Sequence, residues 1–420
     1  QCRTVDPALT SIEPCRHLEH SPRRFDRWES LDKPTNRLGT PTRQEPLQEF
    51  PDAFQTKSVS RRRPPLVKSH CKSRSGYNRF RHLGRDHGIN QQMVSSGHSD
   101  TLRKEISLFG VFAIALGTTI AGGLFLLPGL AFEQIGPSIL VAYLLAGIVT
   151  LPPLLCMSEL ATAMPKAGGF YFYVDRAFGP LAGTVAGIGT WITLTLKTSF
   201  ALVGIGFYLG IYLEDPPVGL IAALLAIGLG GINLLGAEKA TRMQSTLVLA
   251  ILAILAWFIL RGVVDIQSAK FEPFWPTDKT AVASMVGVVL ISYMGLTKVI
   301  SVAEEVRDPE ENIPAGILLA LLAAVLIYMA GLAVMIGTIP ADELERTYTP
   351  AAAAAAIFSG STGQLVISIA AIASFLAVGN AGILSASRYP LAMGRDHIFP
   401  SIFRRLGRFG TPLPAICLTV

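Results

Sequence analysis

Long apolar stretches, each able to cross a lipid bilayer, dominate the sequence after residue 107. A crossing helix needs about 20 mostly apolar residues, and eight such stretches lie near residues 108–132, 137–157, 180–212, 218–235, 245–264, 281–303, 314–339 and 364–387. A ninth begins at Gly410 and reaches Val420 after about half a crossing. The pattern predicts an all-α integral membrane protein with about eight complete spans, truncated within a ninth.

Charge divides the chain into two parts. Residues 1–92 hold 18 Lys and Arg against 10 Asp and Glu, whereas residues 93–420 hold 18 against 20. The first part has no apolar stretch that could form a core, so we expect a basic, disordered tail. The first methionine is Met93, which favours a start there and a non-native origin for the tail; a basic arm for anionic lipid or nucleic acid is the alternative. Residues 93–420 are expected to form the transmembrane domain.

The distribution of basic residues predicts the orientation of the spans. With the start of the first span placed in the cytoplasm, 12 of the 18 Lys and Arg after residue 92 lie on the cytoplasmic side. Cytoplasmic loops of membrane proteins carry an excess of these residues. We therefore expect a multi-pass protein of the cytoplasmic membrane with a cytoplasmic N-terminus.

The first span contains residues poorly suited to a helix. Its middle reads GTTIAGGLFLLPG, Gly117–Gly129, with four glycines and one proline. Such residues indicate either a close-packing face or a break, and broken backbone survives in a membrane only when it is buried in protein or lines a cavity. A second interruption, Ser292–Gly295, lies in the sixth span. Paired interruptions at corresponding positions favour a break with a ligand site, where helix ends offer N–H groups to an anion and carbonyls to a cation.

Four motifs resemble those of the amino acid, polyamine and organocation transporters. In that superfamily the first span usually reads I-G-S-G-I-F followed by P-G, and IAGGLFLLPG at residues 120–129 is similar. The other three motifs resemble the loop between spans two and three, the loop after span six and the segment after span eight; they are ELATAMPKAGGFYFY at 159–173, AEEVRDPEENIP at 303–314 and SASRYPLAMGRDHIFP at 385–400. The matches occur in order and cover about residues 105–420.

This resemblance implies a five-plus-five inverted repeat of the leucine-transporter type, truncated at its C-terminus in this chain. It implies secondary active transport of amino acids or related amines by alternating access, with exchange, or a non-transporting sensor, as alternatives. The partners would be a small amino acid or amine and the bilayer, without nucleic acid. No cofactor is expected beyond a coupling H⁺ or Na⁺, and a chain that stops in span nine is not expected to transport alone. The sequence leaves the oligomeric state open.

The resemblance also assigns the substrate site. Ile120, Ala121, Gly122 and Gly123 would offer backbone donors to a carboxylate, and the backbone of span six would face the amino group. The full expected set is Thr119, Ile120, Ala121, Gly122, Gly123, Ser292, Tyr293, Gly295 and Thr297. Two residues depart from the superfamily pattern. Ala121 stands where Gly is common, and Thr297 stands where Glu is common.

Two lysines lie inside predicted spans, where a charge is costly and therefore a functional candidate. Lys197 either takes the place of a coupling cation or merely reaches a carbonyl or a water molecule. Lys298 is expected to line the site or to pair with Glu159 or Glu304 as an inner gate. The acidic residues that follow span six are expected on a solvated cytoplasmic face; they are Glu304, Glu305, Glu310 and Glu311.

Motifs of other protein classes are missing from the sequence. It has no G-x-x-x-x-G-K-[ST], H-E-x-x-H or G-x-S-x-G pattern, and no T-V-G-Y-G channel filter. After residue 92 the only histidines are His98 and His397. We expect no enzyme, no catalytic residue and no metal site.

Overall fold

A computed structural model of the chain describes residues 102–276, 278–407 and 409–420. The tail predicted for residues 1–92, with its boundary at Met93, lies outside the described residues. The described part is helical, with one isolated parallel bridge between Ile106 and Val306.

Thirteen α-helices make up most of the described chain. In chain order, α1 to α13 are Leu108–Phe125, Leu127–Ile135, Ile139–Ala163, Gly169–Phe178, Pro180–Leu209, Val218–Leu234, Ala237–Gly262, Thr280–Tyr293, Pro309–Thr338, Ala341–Leu344, Pro350–Ala386, Arg388–Arg395 and Leu413–Thr419. Short 3₁₀ helices occupy Gly136–Ser138, Val263–Asp265, Ser268–Phe271 and Ser401–Arg404, and a longer one, the inner 3₁₀ segment, occupies Met294–Glu305.

Seven helical stretches among the described residues are long and apolar enough to cross a membrane. They are Leu108–Phe125, Leu127–Ala163, Pro180–Leu209, Ala237–Asp265, Thr280–Glu305, Pro309–Thr338 and Pro350–Arg395. The predicted span near 218–235 coincides with α6, an apolar helix of 17 residues. At 1.5 Å per residue α6 rises about 26 Å, slightly less than the bilayer core of about 30 Å. The count of eight spans therefore stays a prediction.

Helix α1 lies at the centre of the helical bundle. Every residue from Ala113 to Ala121 is buried, and α1 packs against α7, α9, α11 and the inner 3₁₀ segment. A helix apolar on all sides is expected in such a position. The two interrupted spans thus meet inside the protein, where irregular backbone is tolerated.

The connection between spans two and three is largely helical, since α3 runs on to Ala163 and α4 follows at Gly169. Gly168 makes the turn before α4 with φ of +68°, a conformation that glycine adopts without steric cost. On α4, Tyr171 is buried and donates a hydrogen bond of 2.7 Å to Asp396. Burial, followed by this bond, raises the pKa of the Tyr171 phenol, so the phenol remains a donor at neutral pH. The bond joins α4 to the chain just after α12.

Candidate functional site

The interruption of the first span lies later than the sequence predicts. Helix α1 continues through Phe125 and ends at Leu126, with φ of −123° and ψ of −45°, and α2 begins at Leu127 with Pro128 in its first turn. Proline has no N–H and clashes with the preceding turn, so it breaks a helix just upstream of itself. Residues 120–123 are therefore helical, and the expectation of an unwound backbone there is corrected.

The sixth span changes its helix type instead of breaking cleanly. Helix α8 ends at Tyr293 and the chain continues as the inner 3₁₀ segment, which contains non-helical dihedrals at Val302. A long 3₁₀ stretch within a helix is unusual and often marks a hinge or local strain. Gly295, at the start of this segment, accepts a hydrogen bond of 2.8 Å at its carbonyl from Thr118 Oγ1. The two interrupted spans are thus joined directly.

A cavity of about 660 Å³ lies beside both interruptions. It is bounded by α1, α2, α5, α8 and α11, and its lining is mostly apolar. The lining residues are Thr118, Thr119, Gly122, Gly123, Leu126, Leu127, Leu130, Thr193, Leu196, Lys197, Phe200, Ala201, Val288, Ile291, Ser292, Phe375 and Val378. We call it the central cavity.

Four of the nine residues expected to bind substrate line the central cavity, namely Thr119, Gly122, Gly123 and Ser292. Gly122 is exposed to it, and no atom lies within 4 Å of the position that a Cβ would occupy there. Leu127 and Leu130 in the first turn of α2 line the cavity, and the N–H groups of a helix's first turn have no partner within that helix. A carboxylate is the ligand that such a helix end favours.

The other five expected residues lie away from the cavity lining. Ile120 and Ala121 are each 1% exposed and belong to the hydrophobic core, so the Gly-to-Ala departure at Ala121 does not narrow the cavity. Tyr293 is fully buried and donates to the Tyr143 carbonyl at 3.1 Å. Gly295 contacts α1, and Thr297 donates to the Met294 carbonyl within its own turn.

Three tyrosines hold α1 in place beside the cavity. Tyr328 stacks edge to face with both Tyr143 and Tyr293 at centroid distances of 5.1 and 5.2 Å. The Tyr328 hydroxyl donates to the Thr119 carbonyl at 2.7 Å, and the Tyr143 hydroxyl donates to the Gly123 carbonyl. Sequence reasoning missed Tyr143 and Tyr328. The available signal was a tyrosine inside an apolar span, whose hydroxyl has to find a partner.

Lys197 brings a positive charge to the cavity lining. It is half-buried on α5, and its Nζ donates a hydrogen bond of 3.1 Å to the Ile291 carbonyl, close to the end of α8. A helix C-terminus carries partial negative charge and favours a cation. The sequence left two roles open, and the contact with a carbonyl on the lining is compatible with both.

Lys298 does not form the ion pair that the sequence predicts. Its side chain is 2% exposed, and its Nζ has no hydrogen-bond partner within the described part of the chain. Glu304 pairs instead with Arg395 at 2.8 Å. The expected pairing of Lys298 with Glu159 or Glu304 is therefore wrong, and Lys298 is not among the described residues that line the central cavity.

Glu304 and Glu305 are also less solvated than expected. Glu305 is 2% exposed and forms a two-point ion pair with Arg388, with distances of 2.7 and 2.9 Å. Glu304 accepts hydrogen bonds from the backbone N–H groups of Leu102 and Ala167. Both carboxylates turn inward because cationic side chains and free N–H groups gather there.

Further contacts join the same ends of the two interrupted spans. The Glu305 carbonyl accepts from the N–H groups of Glu105 and Ile106, and the Arg307 N–H donates to the Ile106 carbonyl. The start of α1, the end of the inner 3₁₀ segment and α12 are thereby tied together. We call this set of contacts the inner clasp.

Substituting Gly123 by alanine is expected to destabilise the site. A Cβ there would lie 2.7 Å from Tyr328 Cζ and 2.9 Å from Ser292 Cβ, closer than side chains normally pack. Overpacking of this kind costs about 2 kcal/mol, measurable as a lower unfolding temperature of the detergent-solubilised protein. Gly122→Ala is the matched control, because nothing lies within 4 Å of its Cβ position. Equal shifts in the two variants would contradict the packing described for Gly123.

The chain is similar in sequence to one protein family and to several known proteins. The sequence profile of the amino acid permease family matches residues 110–420. Cationic amino acid transporter 9, chloroplastic, of Arabidopsis thaliana is 27% identical over 75% of this chain and 59% of its own length. The methylthioribose transporter of Bacillus subtilis is 25% identical over 78% of this chain and 76% of its own. A branched-chain amino acid permease, BcaP, of Lactococcus lactis is 28% identical over 69% of this chain and 68% of its own. The chain thus spans about three fifths of the length of the Arabidopsis relative.

Proposed function

Because the chain belongs to the amino acid permease family, we propose that it carries amino acids or related amines across the cytoplasmic membrane by secondary active transport. The family match and the apolar helices make it a multi-pass membrane protein. Its relatives are named as permeases and transporters, which confirms the prediction that it is not an enzyme.

The central cavity at the two interrupted spans is the observation that carries this proposal. A zwitterion needs partners for a carboxylate and an ammonium that lie close together. The first turn of α2 provides N–H groups, and the end of α8 provides carbonyl oxygens of the kind that Lys197 already contacts. Thr119 and Ser292 add hydroxyl groups beside the same space. Interrupted helices around a site of this kind are typical of secondary transporters.

Alternating access is the mechanism that we propose for this site. The inner clasp holds the cytoplasmic ends of α1 and the inner 3₁₀ segment together, so it has to open before a ligand can leave toward the cytoplasm. Leu126 and Val302, where the helices lose regular geometry, are the proposed hinges. Spans one, two, six and seven would move against spans three, four and eight, as a five-plus-five repeat of the leucine-transporter type implies.

The basic residues support an orientation with the N-terminus in the cytoplasm. They are concentrated on the side that carries the inner clasp, and such loops are generally cytoplasmic. Arg388 and Arg395 are themselves part of the clasp. In this orientation the clasp closes the cytoplasmic exit.

The test is uptake of labelled amino acids by the full-length gene product in proteoliposomes, with and without an imposed pH or Na⁺ gradient. Accumulation that depends on a gradient is the expected result. Uptake only in the presence of an internal amino acid would identify an exchanger instead. If no amino acid or amine accumulates or exchanges under any gradient, the proposal fails and a sensor role gains support.

We further propose that Lys197 takes the place of a coupling cation. In this role, protonation of the Lys197 amino group gates the transport cycle. Replacing Lys197 by alanine removes the amino group that contacts the Ile291 carbonyl, so uptake is expected to lose its response to a pH gradient. Initial rates at several external pH values measure this response. The control is Lys279→Ala, because Lys279 is exposed and outside the cavity lining. A Lys197→Ala protein with an unchanged pH response would leave Lys197 a structural role.

A further inference from the structure

The lining of the central cavity distinguishes between classes of amino acid. Building on the proposed function, we propose that the substrate is an amino acid with a bulky, uncharged, apolar side chain and that Lys197 excludes cationic amino acids and polyamines.

Most of the cavity lining is apolar. Nine of the seventeen lining residues are large and apolar, and they come from α2, α5, α8 and α11 as well as the turn at Leu126. Phe375 is buried, and its ring lies 6.2 Å from that of Tyr208, whose hydroxyl donates to the Phe125 carbonyl at 2.8 Å. A cavity of about 660 Å³ has room for a large side chain. Burying an apolar side chain against this lining is favourable in proportion to the area removed from water.

The charge of the cavity lining also distinguishes between substrates. None of the described residues that line the cavity is acidic, and its single ionisable group is the ammonium of Lys197. A guanidinium or second ammonium on the substrate would lose its water without gaining a carboxylate. Such a substrate would also be repelled by the like charge of Lys197. Both effects disfavour substrates with a cationic side chain.

An acidic substrate is the competing possibility, because its side chain could pair with Lys197. That pair would be surrounded mainly by apolar lining side chains, which replace little of the water that a carboxylate loses on entering the cavity. One of the three N–H donors of Lys197 is already bonded to the Ile291 carbonyl. An uncharged side chain needs neither an ion pair nor hydrogen-bond donors in place of water.

The first experiment needs no mutation. Uptake of labelled leucine into proteoliposomes is measured in competition with excess unlabelled leucine, phenylalanine, arginine, putrescine or glutamate. Leucine and phenylalanine are expected to abolish the signal, whereas arginine, putrescine and glutamate compete at least about a hundredfold more weakly. Preferred transport of arginine, putrescine or glutamate, with leucine excluded, would overturn the substrate class while leaving the proposed transport function intact. Absence of transport of every compound would overturn both.

The second experiment reverses the charge on the lining. Lys197→Glu is expected to raise the uptake of labelled arginine relative to leucine by at least about tenfold, and Lys197→Gln by less. Lys279→Glu introduces the same charge change outside the cavity lining and is expected to leave the ratio unchanged. An unchanged ratio in a Lys197→Glu protein that still transports leucine would remove Lys197 from the selectivity argument. If that variant is inactive, the competition profile of the unmodified protein decides the substrate class.

Discussion

Replacing Glu305 by alanine is expected to lower the free energy of unfolding by about 3–5 kcal/mol. The side chains of Glu305 and Arg388 are 2% and 0% exposed and form two charge-assisted hydrogen bonds of 2.7 and 2.9 Å. Arg388 also donates to Ser387 Oγ at 2.8 Å, which does not neutralise its charge. Without Glu305 a buried guanidinium loses its counter-ion, and the cost of that uncompensated charge dominates the effect.

The control for this variant is an exposed ion pair in the same protein. Glu238 and Arg242 lie 2.6 Å apart with side chains 56% and 73% exposed, so Glu238→Ala is expected to cost less than about 0.5 kcal/mol. Replacing both partners of the buried pair, as Glu305→Leu with Arg388→Met, is expected to recover much of the loss because no charge remains buried. Unfolding in mixed micelles measures all three proteins. Similar losses for Glu305→Ala and Glu238→Ala would contradict the burial of the clasp.

The sequence predicted the general architecture because bilayer physics acts locally. Uninterrupted apolar length identifies a span without any knowledge of its neighbours, and the motif around residues 120–129 led to the family that the sequence profile confirms. The interruption of the first span was also foreseen. Its position was not, because Pro128 decides where the helix ends, whereas Gly117 and Gly123 are used for close packing against α7 and Tyr328.

The inner clasp could not be predicted because it depends on which helices meet. Glu305 and Arg388 are 83 residues apart, and a run of acidic residues after a span is usually solvated. Only the packing of α12 against the inner 3₁₀ segment brings an arginine to Glu305. The same limitation explains the wrong pairing of Lys298, since Glu304 lies nearby in sequence but is taken by Arg395.

The candidate site shows how far a motif alone can be trusted. Thr119, Gly122 and Gly123 line the cavity, while Ile120 and Ala121 between them face the core. Consecutive residues of a helix point about 100° apart, so a continuous motif cannot all face one ligand when the backbone stays helical. The motif identifies the part of α1 that lies beside the cavity. The helical geometry then determines which of its residues line the cavity.

Replacing Gly295 by alanine is expected to disrupt the contact between the two interrupted spans. A Cβ at this position would lie 2.6 Å from the carbonyl carbon of Thr118 and 2.7 Å from Thr119 Oγ1, and closer still to the Thr118 carbonyl oxygen. Real Cβ atoms essentially never approach heavy atoms within 3.0 Å, so one backbone has to move. The α1 backbone is held at that point by the Tyr328 hydroxyl on the Thr119 carbonyl. We expect a loss of about 3 kcal/mol in stability, the upper end for overpacking, and loss of most uptake.

A second glycine on the same span provides the control for Gly295→Ala. It shows whether any substitution of glycine in this span is harmful or only one at the contact with α1. Gly287 lies within α8, and no atom lies within 4 Å of its Cβ position. Gly287→Ala is therefore expected to leave stability unchanged or to raise it by about 0.5 kcal/mol, because alanine favours helix more than glycine does. Unfolding in mixed micelles and leucine uptake are measured for both variants. If Gly295→Ala is as stable and active as Gly287→Ala, the two spans do not touch at Gly295. That result would also contradict the position of the central cavity beside this contact.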